Sequence, residues 1–115
     1  MIEVNELYEV IQSYNEYLRK LPEGCKVIAT LLRENELVLA KENIMYFSEG
    51  LLWLNDAQQL LLLHDIKHNL EFDQIQHYLV QINNALEKEA FQEVATIFDS
   101  ELYTHFNQLS VVPEA

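Results

Sequence analysis

The sequence contains few residues that end helices or form tight turns. The chain of 115 residues has two glycines and two prolines. An all-β fold needs many tight turns, and glycine is the residue that most of them require. The abundant residues, among them Leu, Glu, Gln and Ala, are mostly good helix formers. The composition therefore argues against an all-β fold and favours an all-α one.

Cysteine and basic residues are also scarce. Cys25 is the only cysteine, so no internal disulfide can form, which fits a reducing compartment. Seven basic residues stand against 19 acidic ones, for a formal net charge of −12. Such a chain repels the phosphates of nucleic acids and of anionic membranes, so we expect it to bind neither. A solvated acidic face explains the charge most simply, and a basic protein partner is the alternative.

Long apolar runs are missing as well. The N-terminus has no basic region followed by an apolar run, so we expect no signal peptide. The longest apolar block, Leu60 to Leu63, is too short to cross a bilayer. We therefore predict a cytoplasmic protein with one helical domain over residues 1–109 and a flexible C-terminal tail over residues 110–115.

Apolar residues recur at helical spacing along most of the chain. Intervals of three and four residues place them on one face of a helix. The four seams are Leu7–Ile11–Tyr14–Leu18–Leu21, Leu37–Ala40–Ile44–Phe47–Leu51–Leu54–Leu61, Phe72–Ile75–Leu79–Ile82–Leu86 and Phe91–Val94–Phe98–Leu102–His105–Leu109. The fold class predicted from them is an antiparallel, up-and-down bundle of four main helices plus one short helix.

Pro22 and Gly24 predict that the first helix ends near Leu21. A short helix over residues 23–34 and long helices over residues 36–64, 71–88 and 89–108 follow. The boundary near residues 87–90 has no glycine or proline, and we infer it because a helix of nearly forty residues is uncommon in a small domain. A β-hairpin over residues 26–40 is the alternative reading of that segment.

The third helix carries apolar residues outside its seam, among them Met45, Leu52 and Trp53. Such a helix is usually buried centrally, so we expect it at the centre of the bundle. Gly50 in its middle predicts either the close approach of a neighbouring helix or a kink.

No catalytic constellation is present in the sequence. A glycine-rich phosphate loop, a Gly-x-Ser-x-Gly motif and zinc-finger spacing are all missing. Cys25 has no histidine placed beside it by sequence, so an inert thiol is expected. His64 and His68 stand four residues apart and are the only metal-ligand candidates in the sequence. The simpler interpretation is that both side chains face solvent near the C-terminal end of a helix. We therefore predict no enzyme activity and no cofactor.

Two further patterns have a simple and a functional interpretation. Glu42, Glu49 and Asp56 recur every seven residues and therefore share one face of the third helix. If that face is exposed, they form a solvated stripe; if it is buried, the carboxylates raise each other's pKa. Six tyrosines are many for this size, and aromatic residues are favoured at protein interfaces. The residues predicted to bind a partner are Tyr8, Tyr17, Trp53 and Tyr103.

Two stretches, Ser48–Ala57 and one that runs from Ala85 through Phe91 to Leu102, resemble small uncharacterised helical-bundle proteins of Gram-positive bacteria. In size and helical character the chain is also similar to export chaperones, which hold a partner helix in an apolar groove. The resemblance implies a bacterial protein with no assigned site residues.

These observations predict a protein-interaction module that binds a partner helix or forms a homodimer. The first alternative is an acidic inhibitor that mimics nucleic acid, because eight acidic residues and only Lys88 as a basic one follow Asn69. On this count, charge-based partner contacts are expected in the last two helices. The second alternative is a metal-binding bundle enzyme.

Overall fold

The computed structural model describes residues 4–66 and 71–109, and every regular element in these ranges is helical. The elements are α1 (Val4–Arg33), α2 (Leu37–Leu63), α3 (Phe72–Glu87), α4 (Phe91–Thr96), a π-helical segment (Ile97–Leu102) and α5 (Tyr103–Asn107). The last three follow one another without a break, and we call them the C-terminal helix. The all-α bundle is confirmed. The alternative hairpin is wrong, because residues 26–33 belong to α1 and residues 37–40 to α2. The predicted tail, residues 110–115, lies outside the described ranges.

Helix α1 continues through Pro22, so the end predicted at Leu21 and the separate short helix are wrong. Proline inside a helix removes a backbone hydrogen bond and crowds the preceding turn, at a cost of about 3 kcal/mol. The apolar seam stays in register across it, because Leu18 and Leu21 before Pro22 and Cys25, Ile28 and Leu32 after it are all buried. Full burial of a large aliphatic side chain contributes about 1.5–3 kcal/mol, so the residues beyond Pro22 offset its cost.

The links between helices use left-handed residues other than glycine. Asn35, Asp65 and Glu89 have φ angles of 63°, 59° and 56°. At each, the N–H of this residue and that of the next donate to carbonyls three and five residues earlier, at 2.9–3.2 Å. These are the two hydrogen bonds of a Schellman motif. The chain can therefore end three helices without glycine, and the breaks predicted near Asn35 and Glu89 are confirmed.

Helix α1 is the central element of the core. It packs against both α2 and the C-terminal helix, and α3 packs against the C-terminal helix. Phe47 of α2 contacts Phe98 and Phe106 in edge-to-face geometry, with ring centroids 5.2 and 6.0 Å away. The central position expected for α2 is wrong, because α2 buries its seam and leaves its outer face in solvent. Although α2 exposes several apolar residues, no helix in the described ranges is long and apolar enough to span a membrane.

The π-helical segment shifts the buried face of the C-terminal helix by one residue. Val94, Phe98 and Leu102 are buried, as the seam predicts. In a regular α-helix the next seam position would be His105. A π turn accommodates an extra residue, so Phe106 is buried instead and His105 is half-buried.

Candidate functional site

On one side of the contact between α1 and α2 the surface opens into a cleft, and we call this side of the contact the groove. The cleft has a volume of about 310 Å³ and mainly apolar walls. Both helices contribute to the lining, which includes Tyr17, Leu21, Gly24, Val27, Tyr46 and Phe47. The volume is at the lower limit of small-molecule pockets, about 300–1,000 Å³.

Gly50 allows a tyrosine of α1 to approach the backbone of α2. A β-carbon at Gly50 would overlap the hydroxyl of Tyr17. The Tyr17 ring lies beside Trp53, with centroids 6.2 Å apart and an interplanar angle of 54°. Burial raises the pKa of Tyr17, so its hydroxyl stays neutral. The close approach predicted for Gly50 is confirmed. It allows Tyr17 and Trp53 to form an aromatic contact across the groove.

Gly24 has the opposite effect and leaves the groove open. An added β-carbon there would meet no heavy atom within 4 Å. Asn43 and Tyr46 of α2 line the same cleft. At Gly50 the missing side chain is replaced by Tyr17, whereas at Gly24 no described residue takes its place.

Large apolar side chains reach solvent along the groove. Leu39, Tyr46 and Trp53 recur every seven residues and therefore follow one line along α2. Their exposed fractions are 48%, 55% and 41%, and that of Val27 on α1 is 43%. We call these four residues the apolar strip. Large apolar side chains that are exposed along one line of a helix are a common feature of interaction sites.

Two rows of exposed carboxylates accompany the apolar strip. Each row repeats every seven residues, so each follows one side of its helix. The α1 acidic row is Glu9, Glu16 and Glu23, and the α2 acidic row is Glu42, Glu49 and Asp56. The stripe predicted on α2 is thus solvent-exposed, and it has a counterpart on α1.

Contacts place Glu23, Glu42 and Glu49 beside the strip. Glu23 lines the cleft. The hydroxyl of Tyr46 donates to Oε1 of Glu42 at 3.3 Å. The Glu42 charge, together with this hydrogen bond and the nearby Glu49, raises the pKa of Tyr46. The ring of Tyr46 therefore borders the apolar cleft, whereas its hydroxyl lies beside carboxylates.

The carboxylates of both rows are available to an incoming cation. Within residues 4–66 and 71–109 the structure contains one ion pair, between Arg33 and Asp99, and neither residue belongs to a row. Of the residues that the structure describes, Lys20 is the only basic one that lines the cleft. The groove thus combines an apolar centre with an excess of negative charge at its edges.

The structure brings together two of the four residues predicted to bind a partner. Tyr17 and Trp53 meet across the groove. Tyr103 is half-buried on α5, where the Lys26 ammonium lies 4.4 Å from the centre of its ring. Tyr8 is also exposed on α1, but it lies on another face of the helix. The seven-residue repeat through Tyr17 places Val10, and not Tyr8, on the side of the groove. The predicted set therefore does not form one surface.

Of the two histidines predicted as metal-ligand candidates, the structure describes one. His64 is half-buried at the C-terminal end of α2, and His68 lies outside the described ranges. Where residues are described, no group of three or more His, Cys, Asp or Glu side chains is arranged to hold a metal ion.

Cys25 is buried in the middle of α1, far from the helix N-terminus near which the sequence places it. Burial raises the pKa of its thiol to about 12. Since the thiolate is the reactive form, a thiol in this setting is inert at neutral pH.

Sequence reasoning missed Tyr46, Gly24 and the α1 acidic row. The available signal was the combination of repeats: an apolar residue and a carboxylate both recur every seven positions along α2. The α2 stripe was recognised, but without its apolar neighbours. Partner-facing charge was expected in the last two helices, whereas the rows beside the groove lie on the first two.

Comparison with known proteins adds a family and no assigned role. Searches among curated proteins and among solved structures give no match. One family model, described as "Domain of unknown function (DUF8042)", matches residues 9–111. The matched range includes both walls of the groove and both acidic rows. The chain therefore belongs to the family described as the domain of unknown function DUF8042.

Proposed function

We propose that this chain is a non-enzymatic, cytoplasmic protein-interaction module, adaptor-like or chaperone-like, that binds a helix of a partner protein in the groove between α1 and α2. The observation that carries the proposal is the apolar strip beside the open cleft at Gly24. Covering this surface would remove exposed aromatic and aliphatic area from water, which is the main driving force for association.

A helix suits this groove better than an extended segment does. The walls are helices whose backbone groups are already hydrogen-bonded, so they offer no strand edge to a partner. The bound segment must therefore satisfy its own backbone, as a helix does. From Leu39 to Trp53 the strip extends about 21 Å at 1.5 Å per residue, which corresponds to about four helical turns.

The spacing of the carboxylates favours a partner helix over mimicry of nucleic acid. Successive members of a row are about 10.5 Å apart along the helix, whereas the phosphates of one DNA strand follow at about 3.4 Å along the axis. The apolar strip also has no counterpart on the charged outside of a duplex. A metal-dependent enzyme remains the second alternative, which elemental analysis of the purified protein tests directly.

A designed peptide tests the proposed function. The peptide has about 21 residues, long enough to span the strip, with leucines along one helical face, glutamines on the other and no tryptophan. Trp53, the only tryptophan, reports on binding because covering its exposed part shifts its emission to shorter wavelength. We expect saturable binding in a fluorescence titration of the full chain, and also by anisotropy of a labelled peptide.

Two substitutions show whether the groove is responsible. Gly24→Leu fills the open cleft without meeting a neighbour at its β-carbon, and it should weaken binding while the helix content stays unchanged. Val27→Asp places a charge in the strip and should also weaken binding. Val80→Asp on α3 is the matched control, because Val80 is equally an exposed valine in a helix. Absence of peptide binding, or equal loss with Val27→Asp and Val80→Asp, would show that the groove is not a helix-binding site.

A further inference from the structure

We infer that the helix accepted by the α1–α2 groove is a basic amphipathic helix, with an apolar seam against the strip and Lys or Arg residues towards both acidic rows. This inference rests on the proposed function and specifies the chemistry of the partner. Its distinguishing feature is charge on both edges of one apolar face.

The groove is complementary to such a helix on both of its sides. The α1 acidic row supplies Glu23 at the cleft, and the α2 acidic row supplies Glu42 beside Tyr46. A partner helix with a basic residue every seven positions repeats at the same interval as the rows, about 10.5 Å. Its cations would meet carboxylates on either flank while its apolar residues enter the cleft.

Where the structure describes the chain, these carboxylates form no ion pair with its own basic residues. Among the described residues, Lys20 alone brings a positive charge to the cleft. Unpaired carboxylates around an apolar surface repel an acidic partner, whereas they attract a basic one and accelerate its approach.

A second copy of this chain fits the groove less well than a basic helix does. Each copy has a net charge of −12. Docking two grooves face to face would bring acidic rows of both copies close together, and like charges across an interface oppose association. The charges of this surface therefore favour a different, basic chain over a homodimer.

Three peptides that share one leucine seam test the inference on the full chain. Their flanking positions carry Lys, Gln or Glu. We expect the Lys peptide to bind roughly tenfold or more tightly than the Gln peptide at low salt, because several exposed ion pairs each contribute modestly. The Glu peptide should bind most weakly. The advantage of the Lys peptide should shrink as salt concentration rises.

Charge-reversal variants locate the effect. Glu16→Lys with Glu49→Lys changes one residue in each row, and it should remove the preference for the Lys peptide. Glu87→Lys with Glu101→Lys changes net charge equally but lies on α3 and the π-helical segment, so the preference should persist. The Gln peptide should bind both double variants as it binds the parent chain.

The outcomes separate the inference from the proposed function. Equal affinity for the Lys and Gln peptides would overturn the basic partner while leaving the helix-binding groove. Equal loss of preference in both double variants, or undiminished Lys-peptide binding by Gly24→Leu, would show general attraction to an acidic protein and would also overturn it. Sedimentation of the chain alone that reveals a dimer lost in Val27→Asp would assign the groove to a second copy. Failure of all three peptides would overturn the proposed function itself.

Discussion

Helix α2 and the C-terminal helix both pack against α1, yet they leave very different surfaces in solvent. Within the described residues, the C-terminal helix has no large apolar side chain that is exposed. Helix α2 has eight: Val38, Leu39, Met45, Tyr46, Leu52, Trp53, Leu62 and Leu63. The edge between α1 and the C-terminal helix is instead covered by polar contacts, the Arg33–Asp99 ion pair and the Lys26–Tyr103 cation–π contact.

The difference separates residues that hold the fold together from residues available to a partner. On the C-terminal helix the described large apolar residues pack in or against the core, so substitutions there should change stability. On the groove side of α2 a second set of apolar residues lies outside the core, so substitutions there should change binding more than stability.

Phe98→Ala should destabilise the protein most. Phe98 is fully buried and contacts Phe47 edge to face, so its removal leaves a cavity at the point where α2 and the C-terminal helix meet. We expect a loss of about 3–5 kcal/mol in the free energy of unfolding, the usual range for Phe to Ala in a core. Urea denaturation followed by circular dichroism measures it.

Trp53→Ala is the matched change on α2. A larger side chain is removed, but from a half-open position beside Tyr17, so the loss of stability should be clearly smaller than for Phe98→Ala. The labelled peptide should nevertheless bind this variant more weakly. A loss of stability as large as that of Phe98→Ala would show that Trp53 is a core residue and would abolish the distinction between the two helices.

The two glycines should respond to alanine in opposite directions. Gly50→Ala forces the Tyr17 ring away from α2, and overpacking of this kind costs about 1–3 kcal/mol. Gly24→Ala meets nothing within 4 Å and should stabilise α1 by up to about 1 kcal/mol, the difference in helix propensity. Chemical denaturation of both single variants gives the comparison.

Tyr17→Ala provides the control for this contact. In that background the obstacle to a β-carbon at Gly50 is removed, so Gly50→Ala should become neutral or stabilising, while the effect of Gly24→Ala should stay the same. If Gly50→Ala is equally destabilising with and without Tyr17, the close approach between these two residues is not what requires glycine.

The sequence predicts the helices well because their buried seams are regular. Ile11, Tyr14 and Leu18 on α1 and Ile44, Phe47 and Leu51 on α2 are buried as their spacing requires. The end predicted at Leu21 failed because proline was given more weight than the seam beyond it. Local propensity costs a few kcal/mol at Pro22, and tertiary burial on the same helix exceeds it.

The candidate site was harder to predict because it depends on which helix is central. The apolar residues outside the α2 seam suggested full burial, but α1 takes the central place and leaves Tyr46 in solvent. Pairing of Tyr17 with Trp53 depends on the register of α1 against α2, which no single-helix pattern contains. His105 and Phe106 show the same limit, because one residue inserted in a π turn changes which of them is buried.

The ion pair between Arg33 and Asp99 should contribute little to stability. The exposed fractions of the two side chains are 41% and 26%, and pairs in such settings typically contribute about 0–1 kcal/mol. A double-mutant cycle with Arg33→Ala and Asp99→Ala measures the coupling, which should decrease with added salt. A coupling that is large and insensitive to salt would mean that this edge depends on polar contacts as strongly as the core depends on Phe98.

The smallest expected effect is a pH dependence from His105. Its ring meets Tyr78 of α3 at 6.2 Å and Phe106 at 5.5 Å between centroids. Burial lowers the pKa of His105, and the Glu71 charge opposes this only in part. The unfolded chain, with a histidine pKa of about 6.5, therefore binds more protons than the folded one just below that pH. Stability should fall as the pH is lowered through this window.

Urea denaturation at a series of pH values between about 7.5 and 5.5, on either side of the unfolded histidine pKa, measures this effect. His105→Gln should remove this part of the dependence, whereas the parent and variant should show the same peptide affinity at each pH. That separation is the sharpest form of the comparison, because His105 belongs to the C-terminal helix and the groove belongs to α1 and α2. If peptide affinity changed in parallel with the titration of His105, the two regions would be energetically coupled, and stability and binding could not be assigned to separate sides of the bundle.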